Sequence, residues 1–139
     1  SRGLGDVYKR QAYHREVSRQ AMQIPDAVEN LLPRLRDPKF TRVLIVTLAE
    51  ATPVHEAAKL QDDLQRAKID PFAWVINQSL VPLSIIDPTL QRRQQQEWPF
   101  IEEVRSQLAQ RVALIPWQIH PPAGEDGLRK ILRLDNTVV

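Results

Sequence analysis

Three short apolar runs alternate with amphipathic segments along most of the chain. The runs occupy residues 43–48 (VLIVTL), 72–76 (FAWVI) and 112–116 (VALIP), and all are rich in β-branched side chains. Their apolar positions are continuous and do not alternate, which is typical of strands covered on both faces. Strands that alternate with helices in this way predict an α/β fold, in which a parallel sheet is flanked by helices.

Amphipathic segments predicted as helices precede and follow the first strand. The earlier one ends at Asp37-Pro38, and Pro33 within it predicts a kink. The later one begins with Thr52 as N-cap and Pro53 at the first helical position. Apolar positions recur at helical spacing in both helices. In the earlier helix they are Val28, Leu31, Leu32 and Leu35. In the later helix they are predicted to form a buried stripe of Val54, Ala57, Ala58, Leu60 and Leu64.

Two further helices are predicted after the second and third strands. The longer one runs from about Pro88 to Arg111, with an interruption at Trp98-Pro99. Within it, residues 91–97 (QRRQQQE) form a solvated face. The predicted inward positions of the longer helix are Ile101, Val104 and Leu108, and the short last helix carries the apolar residues Leu128, Ile131 and Leu132.

The first eleven residues, SRGLGDVYKRQ, differ from the rest because they lack any apolar period. The string resembles a translated sequencing adapter, so residues 1–11 are predicted to be a non-native leader. A flexible native N-terminus is the alternative interpretation. The remaining residues, 12–139, form the part of the chain to which the fold prediction applies.

The amino-acid composition excludes several kinds of function and site. The 139 residues have room for one modest domain, and 42% hydrophobic with 26% charged residues is ordinary for a soluble globular protein. The formal net charge of +2 is too small to indicate nucleic-acid binding. The absence of cysteine excludes disulfides, thiolate metal sites and cysteine nucleophiles from this sequence.

Candidate chemistry lies in the loops that follow the predicted strands, because parallel α/β sheets bind ligands beyond the carboxyl ends of their strands. These loops are Ala49-Glu50-Ala51, Asn77-Gln78-Ser79 and Pro116-Trp117-Gln118. An asparagine amide offers both a donor and an acceptor, which matches the N6 amine and N7 of adenine. Ordinary turn chemistry is the alternative explanation for an asparagine at a strand end.

Catalytic motifs are absent from the sequence. No G-x-x-x-x-G-K-[ST] phosphate loop, G-x-S-x-G elbow or H-E-x-x-H helix occurs. The histidines His14, His55 and His120 are far apart in sequence and are interpreted as ordinary surface or packing residues. The sequence therefore predicts no catalytic residue and no metal ligand in this stretch.

Residues 41–80 (TRVLIVTLAEATPVHEAAKLQDDLQRAKIDPFAWVINQSL) closely resemble the arsenical pump-driving ATPases. In that family, which belongs to the deviant P-loop ATPases, a V-T-L-P-E-x-T-P-V-x-E-A block is followed by an I-N-[NQ]-S-L block at this separation. Residues 12–17 (AYHREV), 87–97 and 112–124 resemble the flanking family segments. The likeness extends from residue 12 to about residue 134.

The resemblance implies that the chain is the C-terminal fragment of an arsenite-translocating ATPase, with part of a P-loop NTPase-type sheet. The parent protein would hydrolyse ATP with Mg²⁺ to drive arsenite or antimonite efflux through a membrane protein. It would contain a second ATPase domain, as a homodimer or fused pseudo-dimer, and would be cytoplasmic, peripheral to the inner face of the membrane at its pump. Because the family's phosphate loop, switch segments and metalloid-binding cysteines lie upstream, the fragment alone is expected to be inactive.

The resemblance also assigns site residues. Asn77 matches the family's adenine-binding asparagine, with Gln78 beside it, and Pro116 with Trp117 matches the loop that covers the base.

Glu50 and Thr52 belong to a block of the family pattern for which the resemblance implies a structural or signalling role. Ala49 departs from the pattern, because the family usually has proline there.

Two other functions remain open. One is a tail-anchored-protein targeting ATPase of the same superfamily. This function would call for a methionine-rich helical insertion, which the sequence disfavours because Met22 is its only methionine. The other is a non-catalytic adaptor domain with degenerate pockets.

Overall fold

The computed structural model describes residues 26–133. The chain forms two compact units, Ser1–Phe40 and Thr41–Val139. The predicted leader, residues 1–11, and the family-like flank, residues 12–17, lie outside the described residues.

The described part of the first unit contains two short helices, α1 (Asp26–Glu29) and α2 (Leu31–Arg36). The predicted helix is therefore divided, with the break at Asn30, just before Pro33. Pro33 explains the break, because in a continuous helix its ring would clash with the carbonyl of the residue four positions earlier. The helix ends at Asp37, as the sequence predicts, where the Asp37 N–H donates to the Pro33 carbonyl at 3.1 Å.

The second unit contains a parallel sheet of three strands in the order β1-β2-β3. The strands are β1 (Leu44–Thr47), β2 (Ala73–Ser79) and β3 (Val112–Pro116). Trp74 lies at the centre of the register, since it pairs with Ile45 on one side and with Val112 on the other. The predicted α/β fold with a parallel sheet is confirmed.

Helices connect the strands and follow the last one. Helix α3 (Ala51–Arg66) joins β1 to β2. Helix α4 (Pro88–Glu103), continued by a wider π-helical turn (Val104–Leu108), joins β2 to β3. Helix α5 (Gly124–Arg133) follows β3. Within residues 26–133, no helix combines the length and the apolar character that a membrane-spanning helix needs.

The start of α3 differs from the prediction. Glu50, with extended backbone, is the N-cap residue, so the predicted N-cap Thr52 is wrong. Thr52 and Pro53 instead lie in the first turn, where proline is tolerated because the N–H groups of this turn have no intrahelical partner. The prediction that Leu60 faces inward is also wrong, because its side chain is half exposed.

Helix α4 begins at a side-chain cap and continues past its internal proline. The Asp87 carboxylate accepts from the N–H groups of Thr89 and Leu90, each at 2.9 Å. The predicted interruption at Trp98-Pro99 is wrong, since the helix continues to Glu103. Packing of the next turn accounts for this, because Ile101 and Val104 are fully buried in the core.

The core lies on one face of the sheet. Its buried residues form one cluster with contributions from all three strands and from α3, α4 and the π-helical turn: Ile45, Ala49, Val54, Ala57, Trp74, Ile76, Ile101, Val104, Val112 and Leu114. On the opposite face, Leu44 and Val46 of β1 are 52% and 60% exposed. The predicted cover on both faces is therefore wrong for β1, where burial alternates because both connecting helices pack on the same side.

Candidate functional site

A cavity of about 690 Å³ opens at the carboxyl ends of the strands. Its walls come from the loop after β1, the end of β2, one side of α4 and the loop after β3. This is the edge at which open parallel sheets bind ligands, and the volume is in the range of small-molecule sites.

Four residues singled out from the sequence line this cavity together. Glu50 comes from the loop after β1, Asn77 and Gln78 from β2, and Trp117 from the residue after β3. They are separated by up to 67 positions in the chain, and the parallel sheet brings them to one place.

Two other predicted residues do not line the cavity. Thr52 lies in the first turn of α3, and Pro116 ends β3. The Pro116 carbonyl accepts from the Gln118 side-chain amide at 2.9 Å, and its backbone pairs with Ser79 across the sheet. Pro116 thus lies next to the cavity wall and holds the chain from which Trp117 projects.

The backbone at the end of β2 is irregular. Successive side chains of a regular strand point to opposite faces, yet Asn77 and Gln78 both line the cavity. Gln78 has a left-handed backbone with φ of 55°, and the register with β3 shifts between Ile76 and Ser79. This local twist explains how two consecutive side chains reach the same space.

A buried carboxylate secures the loop after β2. Glu97 of α4 is 8% exposed, and its Oε2 accepts from the Ser79 hydroxyl at 2.7 Å. The Leu80 N–H donates to both carboxylate oxygens, at 3.0 and 3.1 Å. The Ser79 hydroxyl also accepts from the Val81 N–H at 3.2 Å, which closes the loop on itself.

A second side chain of α4 binds the same loop through its carbonyls. The Gln94 amide nitrogen donates to the carbonyls of Leu80 at 2.8 Å and Leu83 at 2.9 Å. The prediction that residues 91–97 form a solvated face is therefore wrong for Gln94 and Glu97. Their inward direction could have been found from the sequence, because Glu97 lies four and Gln94 seven positions before the buried Ile101.

Trp117 is hydrogen-bonded through its backbone to Ser79, the residue that binds Glu97. Its backbone N–H donates to the Ser79 carbonyl at 2.9 Å, while its side chain is 46% exposed at the cavity. Ser79, itself fully buried, therefore connects the loop after β2 with the loop after β3.

The cavity rim carries cationic side chains. Arg92 and Arg93 of α4 line it, and Arg93 Nη2 lies 3.4 Å from Glu50 Oε1. Both partners of this ion pair are more than half exposed, so the pair contributes little stability. The cations are thus free to interact with an anionic ligand at small cost.

Glu56 is an ionisable group with a shifted pKa, on a smaller cleft of about 400 Å³ beside α3. The Lys59 ammonium donates to its carboxylate at 3.0 Å and lowers the pKa of Glu56 below its usual value. Within residues 26–133, no three acidic, histidine or cysteine side chains are close enough to hold a metal ion.

Comparison with known proteins finds relatives that are all described as anion-transporting or arsenical pump-driving ATPases. A sequence model of the family described as anion-transporting ATPase matches residues 4–134. An arsenical pump-driving ATPase of Acidiphilium multivorum is 46% identical over 121 residues, which cover 87% of this chain and 21% of that protein. Two proteins of the same description from Escherichia coli are 46% and 45% identical over 120 and 121 residues, covering 86% and 87% of this chain. The chain spans about a fifth of the length of these curated relatives.

Proposed function

The chain belongs to the anion-transporting ATPase family, and on that premise we propose that its cavity binds the adenine base of ATP. The observation that carries the proposal is the convergence of Asn77, Gln78 and Trp117 on one cavity at the carboxyl edge of the sheet. An amide and an aromatic ring suit a purine, which offers hydrogen-bonding edges and flat faces.

Each residue has a distinct role in this proposal. The Asn77 amide reads the edge of the base, with Gln78 beside it, because an amide can donate and accept in one plane. The Trp117 ring packs against a face of the base, and Pro116 fixes the chain that carries it. The guanidiniums of Arg92 and Arg93, which line the same cavity, are suited to binding the phosphates of the nucleotide.

The wider activity is proposed from the relatives. We assign the protein to ATP-driven arsenite or antimonite efflux, at a membrane efflux protein on the cytoplasmic side, with a second ATPase domain completing the assembly. Mg²⁺, when bound, would neutralise charge on the phosphates. The described residues provide base contacts and no catalytic group, while Glu50 and Thr52 at the start of α3 act in structure or signalling. The segment alone is expected to be inactive, because its sequence contains no phosphate loop.

The test is Asn77→Ala in the full-length protein, with ATP affinity measured by isothermal titration calorimetry. Loss of the amide should weaken ATP binding by about 1–3 kcal/mol, because the base edge is left without its partner. The matched control is Gln95→Ala, which removes an exposed amide of α4 outside the cavity and should leave affinity unchanged. Unchanged ATP affinity in a folded Asn77→Ala protein would contradict the assignment.

A further inference from the structure

We propose that Glu97 is a positioning residue for base recognition, which sets the geometry of the end of β2 and of the loop after β3 through Ser79. This inference rests on the proposed adenine site and names the group on which its selectivity depends. Three features of the structure carry it.

The first feature is the set of bonds that Glu97 makes. Its buried carboxylate accepts from the Ser79 hydroxyl and the Leu80 N–H, and no ion pair within residues 26–133 includes it. A buried carboxylate is costly unless hydrogen bonds stabilise it, and hydrogen bonds to charged groups are the strong ones. The loop after β2 supplies these donors, so its position is coupled to that of the carboxylate.

The second feature is that Ser79 makes hydrogen bonds to both Glu97 and Trp117. Its hydroxyl donates to Glu97, its carbonyl accepts from the Trp117 N–H, and its chain follows directly on Asn77 and Gln78. A shift of Ser79 would therefore move the amide that reads the base edge and the ring that covers its face at the same time. Both elements of the proposed base site are thus connected through the buried Ser79.

The third feature is the strained backbone of Gln78, which the bonds from α4 hold in place. Gln78 has φ of 55°, and this left-handed conformation is strained for a residue with a Cβ. Such a conformation persists only where the surroundings fix it. Glu97 holds the following N–H group and Gln94 holds the carbonyls of Leu80 and Leu83, so α4 fixes the chain just after the strained residue.

The test is Glu97→Gln in the full-length protein, with dissociation constants measured for ATP and GTP. Because the Leu80 N–H donates to both carboxylate oxygens, the N–H₂ group of glutamine faces this donor in either orientation of the amide, so the loop should move. We expect the preference for ATP over GTP to fall by about fivefold or more, the equivalent of losing one hydrogen bond. A purely structural role would lower the melting temperature and the folded fraction but leave this ratio unchanged.

A second variant keeps the test decisive if Glu97→Gln does not fold. Ser79→Ala removes the hydroxyl but leaves the Leu80 N–H on the carboxylate, and it should also lower the ATP preference. Because both changes break the same contact, the double variant should be no less selective than Glu97→Gln. Glu102→Gln is the control, since this exposed carboxylate of α4 pairs with Arg105, away from the loop after β2, and its loss should leave the ratio at the wild-type value.

The outcomes separate the two proposals. A wild-type protein that binds ATP and GTP equally well would overturn the adenine site itself, and the positioning role with it. A wild-type preference for ATP that both folded variants retain would overturn the role of Glu97 alone.

Discussion

At the scale of single residues, the tryptophans occupy three different environments. Trp74 is fully buried and donates from Nε1 to the Gln61 side chain at 2.7 Å. Trp98 is half exposed on α4 and lies outside the cavity, whereas Trp117 lines it. A ligand in the cavity therefore changes the surroundings of Trp117 directly, and those of Trp74 and Trp98 only at a distance.

Trp117 should accordingly report the base. In a Trp98→Phe background, which removes the exposed signal of α4, ATP should change the fluorescence more than a triphosphate with a different base does. The response should disappear in the Trp98→Phe/Trp117→Phe variant. Equal responses to both triphosphates, or a response that survives the loss of Trp117, would remove this residue from the base site.

Some site residues could be predicted from the sequence and others could not. Asn77 and Trp117 could be predicted because parallel sheets bind ligands at the carboxyl ends of their strands. The apolar runs in the sequence indicate where these strands end. Glu97 was missed because it ends a run of polar residues, and such runs usually face solvent. The signal that could have revealed it is the spacing of four positions to Ile101, which the sequence predicts to face inward.

At the scale of elements, the end of α3 is a Schellman motif in which glycine is the usual residue. The Ile69 N–H donates to the Leu64 carbonyl and the Lys68 N–H to the Gln65 carbonyl, both at 2.9 Å. Lys68 has φ of 61°, a left-handed conformation that favours glycine.

Lys68→Gly should therefore stabilise the protein by roughly 0.5–1 kcal/mol, because relief of the left-handed strain exceeds the extra entropy that glycine gains in the unfolded chain. The free energy of unfolding from urea titration checks this value. Lys68→Ala removes the same charged side chain but keeps a Cβ, so it should give no such gain. A Lys68→Gly protein no more stable than wild type would show that the strain at this position does not exceed the entropic cost of glycine.

Element boundaries were the weakest part of the prediction. Thr52 and Pro53 favour a helix start at Thr52, yet Glu50 occupies the N-cap position, because the first turn accepts both residues. Pro99 predicts a break, yet burial of the following turn keeps α4 continuous. At the start of α3, the unpaired N–H groups of the first turn make proline acceptable there. In α4, tertiary packing outweighs the helix-breaking tendency of Pro99.

At the scale of the molecule, the unit Thr41–Val139 places its core on one side of a three-stranded parallel sheet and its cavity at the carboxyl edge. The alternation of strands and helices predicts this arrangement because each parallel connection needs a crossover. The exposure of one face of β1 could not be predicted, because a continuous apolar run fits either burial pattern. The function thus depends on loops that are distant in sequence and that the sheet brings together.

Photocrosslinking with 8-azidoadenosine triphosphate tests this account most directly. In the full-length protein, the azide on the base should label peptides that contain residues 77–80 and 116–118, and excess ATP should abolish the labelling. Base adducts found instead at the opposite edge of the sheet, around Phe72 and Arg111, would contradict an adenine site at the carboxyl ends of the strands.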